Sequence, residues 1–104
     1  MEQYYAQQVK TIAKPGKRDE LIGLLRNSIE VLERTPGCIY YLVNTTDEPD
    51  VIWIWELWTS KEAKDALATS PETTQAMRAL LPLIASTTDR TVMTVVEGFG
   101  MRKE

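Results

Sequence analysis

An α+β domain built on one antiparallel sheet, with helices on one of its faces, is what three features of this chain predict. Residues 51–59, VIWIWELWT, collect all three tryptophans and leave almost no polar group on either side. That is the pattern of a central strand covered on both faces. Residues 17–34 carry leucines at helical spacing between two strand-like stretches. The turn residues Asp47, Glu48, Pro49 and Asp50 join one strand directly to the next, which makes an antiparallel hairpin.

Taken in order, residues 4–13 alternate as a first strand, with Tyr5, Gln7, Val9 and Thr11 on one side, and stop at Pro15-Gly16. The helix over residues 17–34 keeps Leu21, Leu24, Leu25, Ile29 and Leu32 on one stripe. Pro36 ends it by pushing Thr35 out of the helical region, and Gly37 permits the turn back to the sheet. Residues 38–46 form the second strand and residues 51–59 the third. Thr59-Ser60-Lys61-Glu62 fits a capping box, with the Thr59 hydroxyl taking an amide proton and Glu62 reaching back, for a short helix to about Ala68. Ser70 caps a further helix with Pro71 in its first turn, where the missing N–H costs nothing. Met77, Leu80, Leu81 and Ile84 are its expected buried stripe, and Pro82 is expected to thin its last turn. Residues 89–99 are the expected last strand, followed by a tail, Met101 to Glu104.

Strand, helix, strand, strand, helix pair, strand is the βαββαβ order of a ferredoxin-like fold: four antiparallel strands with both helical segments on one face. The second face, which residues 51–59 make apolar, is then left for a partner, and a like subunit is the simplest one. A homodimer is expected.

The 104 residues suit a single domain, 1–104, with its core from about residue 4 to 99. A net charge of -3 with both signs interspersed argues against nucleic-acid and anionic-membrane partners. One cysteine, Cys38, suits a reducing compartment, and the opening MEQYYAQQ lacks a basic segment followed by an apolar run, so a cytoplasmic location is expected. No stretch reaches the roughly 20 apolar residues of a membrane span. The chain holds no histidine, which removes Ser-His and Cys-His nucleophile pairs, ordinary zinc sites and His-ligated haem. Catalysis is left to carboxylates, phenols, amides and the reactivity of the substrate itself, and no haem, flavin or metal cofactor is expected.

Four motifs in fixed order carry a resemblance to a known family. PGKRDEL after the first strand, TPGC before the second, DEPD in the hairpin and ELWTSKEAKDAL after the third resemble the antibiotic biosynthesis monooxygenase (ABM) family from about Tyr5 to Phe99. The resemblance implies a dimeric α+β barrel. It also implies cofactor-independent oxidation of quinols or polyketide-like phenols, haem breakdown, or isomerisation of a small sugar-derived compound. Two departures bear on activity. Where many members carry histidines after the third strand, this chain has Leu67 and Glu72. The Asn, Trp and His positions of haem-degrading members fall on Val9, Leu67 and Met77, which speaks against haem.

Glu56 is the sharpest candidate. A carboxylate inside an apolar run is costly to bury alone, so it either pairs with Arg or Lys or takes a proton from a phenolic substrate as a general base. Gln7 is a candidate to hold a substrate oxygen, and Val9, Trp55, Trp58, Leu67 and Met77 are candidate walls of a pocket for a small apolar or aromatic molecule. The large aromatics fit plain core packing as well, Glu72 fits a helix dipole, and Tyr5, Tyr40 and Tyr41 fit hairpin packing. The function expected on this basis is a cofactor-independent monooxygenase of a quinol-type aromatic. The alternatives are a non-catalytic ligand-binding or stress-related dimer of the same fold, and an isomerase acting on a small carbonyl compound.

Overall fold

The computed structural model describes residues 4–100. The elements run β1 (Tyr5–Ala13), α1 (Arg18–Glu33), β2 (Cys38–Thr45), β3 (Val51–Trp58), α2 (Lys61–Ala68), α3 (Pro71–Leu80), a 3-10 turn (Leu81–Leu83) and β4 (Ile84–Thr94). The strands form one antiparallel sheet in the order β2-β3-β1-β4. This is the expected ferredoxin-like α+β arrangement, with β3 and β1 central.

The strand β3 divides its residues between two environments. Ile52, Ile54 and Trp58 face the helices, where Ile52 and Ile54 join Val9, Leu21, Leu25 and Leu80 in the main core. Trp58 packs with Leu32 and Cys38 in a second cluster at the other end of the strand. Val51, Trp53, Trp55 and Leu57 face away. Period-two alternation sets this division, because a one-residue slip would reverse every side chain. The register is fixed by the pairing of Val9 with Ile54 and of Thr11 with Ile52.

Two bulges modify that alternation. In β2, Cys38 pairs with Trp58 and Tyr40 with Leu57, so Ile39 is an extra residue. Cys38 and Tyr41 are three apart and would lie on opposite faces of a regular strand; the bulge lets both face the helices. In β4, Thr91 pairs with Gln8 but Thr88 with Lys10, and the extra residue is absorbed where Asp89 takes a left-handed φ of 51°. A second irregularity lies near the start of β4.

The structure departs from the sequence expectations in four places. The cap of α2 is Ser60, whose Oγ accepts from the Ala63 amide at 3.1 Å; Thr59 is one residue too early because β3 still claims Trp58 and the Thr59 N–H bonds to the Gly37 carbonyl at 2.8 Å. The helix α3 ends at Leu80, Leu81 points to solvent, and Ile84 belongs to β4, because Pro82 converts the next turn to 3-10 geometry. The last strand covers Ile84–Thr94 instead of residues 89–99. Its polar stretch Ser86, Thr87, Thr88, Asp89 gives no hydrophobic signal, yet an edge strand needs only β-compatible backbone and one paired side. Gly37 has no left-handed φ. A Cβ there would collide with the Ala63 side chain, so the glycine serves the close approach of α2. The left-handed turn residue is Gly16, at φ 75°, whose N–H donates to Asp50 Oδ1 at 3.0 Å. The expected tail from Met101 lies outside the described residues.

Among the described residues, no helix is long and apolar enough to cross a membrane.

Candidate functional site

Between the sheet and its helices lies a cavity of about 390 Å³. Its floor is the helix-side row of β1, β2 and β3, and its far wall comes from α1, α2 and α3. Aliphatic side chains such as Val9, Leu25, Ile54 and Leu80 make most of the lining. This volume lies at the lower end of the range for small-molecule pockets, which suits a compact ligand.

Into this apolar space the sheet places one carboxylate. Glu56 sits opposite Gln7 on β1 and opposite Tyr41 on β2. Its Oε2 accepts from Gln7 Nε2 at 3.1 Å, and its Oε1 accepts from the indole Nε1 of Trp58 at 3.0 Å. Among the described residues no Lys or Arg nitrogen lies within ion-pair distance of Glu56. The ion pair that the sequence offered as one resolution is therefore not formed. Two neutral donors hold the carboxylate instead, one from the neighbouring strand and one from two residues further along β3. An ionised carboxylate has about four lone-pair sites, so two remain open.

Gln7 is buried, and both ends of its amide are engaged. While Nε2 donates to Glu56, Oε1 accepts from Arg90 Nε at 3.1 Å and from the Tyr5 hydroxyl at 3.4 Å. Those donors fix which end of the amide faces Glu56. Gln7 was expected to hold a substrate oxygen; it is not among the residues lining the cavity, and the contacts it makes orient the Glu56 carboxylate. Arg90 was not singled out in the sequence at all. It reaches Gln7 because the bulge in β4 resets the strand parity, and no local pattern announces that bulge.

The other candidates separate cleanly. Val9, Trp58, Leu67 and Met77 all line the cavity, with Met77 half exposed at its rim. Trp55 does not. It lies on the opposite face of β3, 44% exposed, beside Trp53, Gln8 and Asn44 around a depression of the open sheet face. Trp55 and Trp58 are an odd number of residues apart on a regular strand, so one cavity cannot take both. Glu72 also lines the cavity; in the first turn of α3, it pairs with Arg34 at 3.8 Å, an exposed contact that ties the ends of two helices. Leu67 and Glu72, the positions where the family resemblance implies histidine, therefore both look into this space.

Of the tyrosines, Tyr40 is on the open face and Tyr5 is bonded to Gln7, whereas Tyr41 lines the cavity. Burial first, then the Glu56 carboxylate, then the Cys38 thiol push the ionisation of Tyr41 well above the ordinary phenol range. At physiological pH it is a neutral hydroxyl, a hydrogen-bond donor and not a base. Cys38 is buried against Trp58. Among the described residues no group of three or more His, Cys, Asp or Glu could hold a metal ion.

A helix-covered antiparallel sheet enclosing an apolar cavity with a hydrogen-bonded carboxylate defines an α+β domain of ferredoxin-like topology. The sequence profile of the antibiotic biosynthesis monooxygenase family matches residues 4–79, and the chain belongs to that family. Solved structures agree. A protein from Chloroflexus aurantiacus J-10-fl, provisionally assigned as an antibiotic biosynthesis monooxygenase, superposes with a TM-score of 0.85 at 34% identity, over 95% of this chain and 99% of its own. A Caulobacter crescentus CB15 protein with the same provisional assignment gives 0.83 at 20% identity, over 92% of each chain. SnoaB, a cofactor-independent oxygenase from Streptomyces nogalater, gives 0.81 at 13% identity, over 92% of this chain and 96% of its own, a likeness of fold alone. A comparison with functionally curated proteins yields no match.

Proposed function

We propose that this protein is a cofactor-independent monooxygenase of a small quinol-type or phenolic substrate, with Glu56 as its general base. The observation that carries the reading is the state of that carboxylate: it lies in an apolar cavity, held by Gln7 and Trp58 and neutralised by no cation at ion-pair distance among the described residues. Such a group is oriented and still has lone pairs to take a phenolic proton. The resulting phenolate is electron-rich enough to pass an electron to dioxygen. Recombination forms a carbon–oxygen bond, and cleavage of the O–O bond releases water. For a simple phenol the balance is one phenol and one dioxygen giving one quinone and one water. The protein contributes orientation and a dry surround. Membership of the antibiotic biosynthesis monooxygenase family supports this choice of reaction class.

Oxygen uptake with a panel of quinols and phenols tests the reading. Glu56→Gln is expected to lower turnover at least about a hundredfold, as loss of a general base does. Because no ion pair is broken, its melting temperature should stay near that of the parent. Uptake at the parental rate would sink the assignment. The second reading, a ligand-binding protein without turnover, is favoured by Leu67 and Glu72 lining the cavity where relatives place histidine.

The working unit in this proposal is a homodimer formed through the open sheet face. That face presents Tyr40, Leu42, Trp55 and Met93 part-exposed, a denser apolar surface than a lone subunit usually shows water. Sedimentation velocity at micromolar concentration decides the point: a folded monomer would end the proposal.

A further inference from the structure

Among the polar residues that line the cavity, which include Thr11, Ser28, Lys64 and Glu72, Tyr41 is in an unusual condition. The hydroxyl of Tyr41 has no hydrogen-bond partner among the described residues. Yet among the described residues no buried side-chain oxygen or nitrogen is sealed off without one. The hydroxyl therefore opens onto space, and the space Tyr41 lines is the cavity. Tyr41 and Glu56 are direct partners across the β2–β3 pair, so their side chains leave the sheet on the same side as neighbours. One is a donor in search of an acceptor. The other is an acceptor with lone pairs to spare.

We propose that Tyr41 and Glu56 form a donor–acceptor clamp, and that the cavity takes a neutral ligand carrying a weakly acidic hydroxyl and, on the same conjugated frame, a carbonyl oxygen. The hydroxyl donates to Glu56 while the carbonyl accepts from Tyr41. This rests on reading the cavity as the substrate site, and it does not depend on oxygen chemistry.

Each simpler ligand leaves a penalty. A phenol without the carbonyl leaves the Tyr41 donor unmet in apolar surroundings, and a ketone without the hydroxyl turns its lone pairs toward the carboxylate; an unmade hydrogen bond in such a place costs more than a made one gains. A carboxylate ligand held at Glu56 would bring a second negative charge beside it; Lys64 of α2 lines the cavity but makes no ion pair with Glu56, so it does not neutralise that point. The conjugation matters as well. When Glu56 takes the hydroxyl proton, the charge spreads to the far oxygen, where the Tyr41 hydroxyl already points a donor at it. Tyr41 keeps its proton in that role because burial and the Glu56 charge both oppose its ionisation.

The test is calorimetric titration of the purified protein under argon with four single-ring probes. Para-hydroxyacetophenone carries both groups, para-ethylphenol the hydroxyl, para-methoxyacetophenone the carbonyl, and para-ethylbenzoate a negative charge. The first should bind about tenfold more tightly than the second or third, the span of one well-made hydrogen bond, with the fourth weakest. Tyr41→Phe should erase the advantage over para-ethylphenol and leave that over para-methoxyacetophenone; Glu56→Gln should do the reverse. Equal affinities, preference for the benzoate, an unchanged order in Tyr41→Phe, or no binding of any probe would overturn the clamp. Should Tyr41→Phe fail to fold, the probe series on the parent protein decides alone. Since oxygen is excluded, a correct binding order with no quinol oxidation would keep the clamp and discard the monooxygenase reading.

Discussion

The two faces of β3 differ in what they ask of the same residue type. On the helix side Trp58 is 1% exposed, packs against Leu32 and Cys38, and uses its indole N–H to hold Glu56. On the open side Trp55 is 44% exposed and lies at a shallow depression with Trp53. Three residues apart in sequence, one tryptophan is core and cavity wall together, and the other is exposed surface. Aromatic density in a strand thus says that both faces are apolar, and not which face does chemistry.

The largest expected effect probes the covered face. Trp58→Ala should cost about 3–5 kcal/mol, from a lost aromatic and the cavity left behind, and it also strips Glu56 of a donor. In a chain of this size each kcal/mol moves the melting temperature by about 4–8 °C, so a thermal scan shows it plainly. A shift of only a few degrees would remove Trp58 from the core. Gly37→Ala comes next. Its new methyl meets Ala63 where α2 crosses the start of β2, and overpacking of this kind costs about 1–3 kcal/mol. Chemical denaturation measures it, and a neutral result would mean that α2 gives way easily.

The third prediction uses pH. The folded-state ionisation of Tyr41 is raised above the unfolded value near 10, so its contribution is fully present below about pH 10 and is lost as pH rises beyond that. The sign follows from proton counting: above that pH the unfolded chain releases this proton first. Stability should fall there by up to about 1.4 kcal/mol per pH unit from this group, and Tyr41→Phe should flatten the alkaline limb by that amount. Urea melts at successive pH values compare the two proteins; parallel limbs would mean that Tyr41 is not buried as described. The smallest effect belongs to the open face. Trp55→Lys should change subunit stability by about 0.5 kcal/mol or less, as surface substitutions do, while abolishing the proposed dimer in sedimentation. Loss of folding in place of loss of association would show that this face is core as well.

Much of this was legible in the residues because it depends on local rules. Leucine spacing gave α1, Ser70-Pro71 gave the start of α3, and the alternation in β1 put Gln7, Val9 and Thr11 on one face, as found. The position of Glu56 inside an apolar run singled out a carboxylate that the structure places at the cavity. Its partners were less accessible. Tyr41 faces Glu56 because the hairpin closes with Thr45 opposite Ile52, a register that the turn residues suggest but do not specify. A count back from that closure would have found Tyr41, had the loop length been known.

Other facts had no sequence signal to follow. The bulge at Ile39 and the left-handed Asp89 change strand parity, and through them Cys38 reaches Trp58 and Arg90 reaches Gln7 across the sheet. A bulge is a compromise between two strands, so neither strand's own residues encode it. What the sequence alone determined was the order of the elements and which side chains share a face in the regular strands β1 and β3, since periodicity and capping act within a few residues. Only the tertiary structure decided which face the helices cover, and therefore that the face shared by Glu56 and Trp58, and not the face of Trp55, lines the cavity, because that choice belongs to the packing of the whole layer.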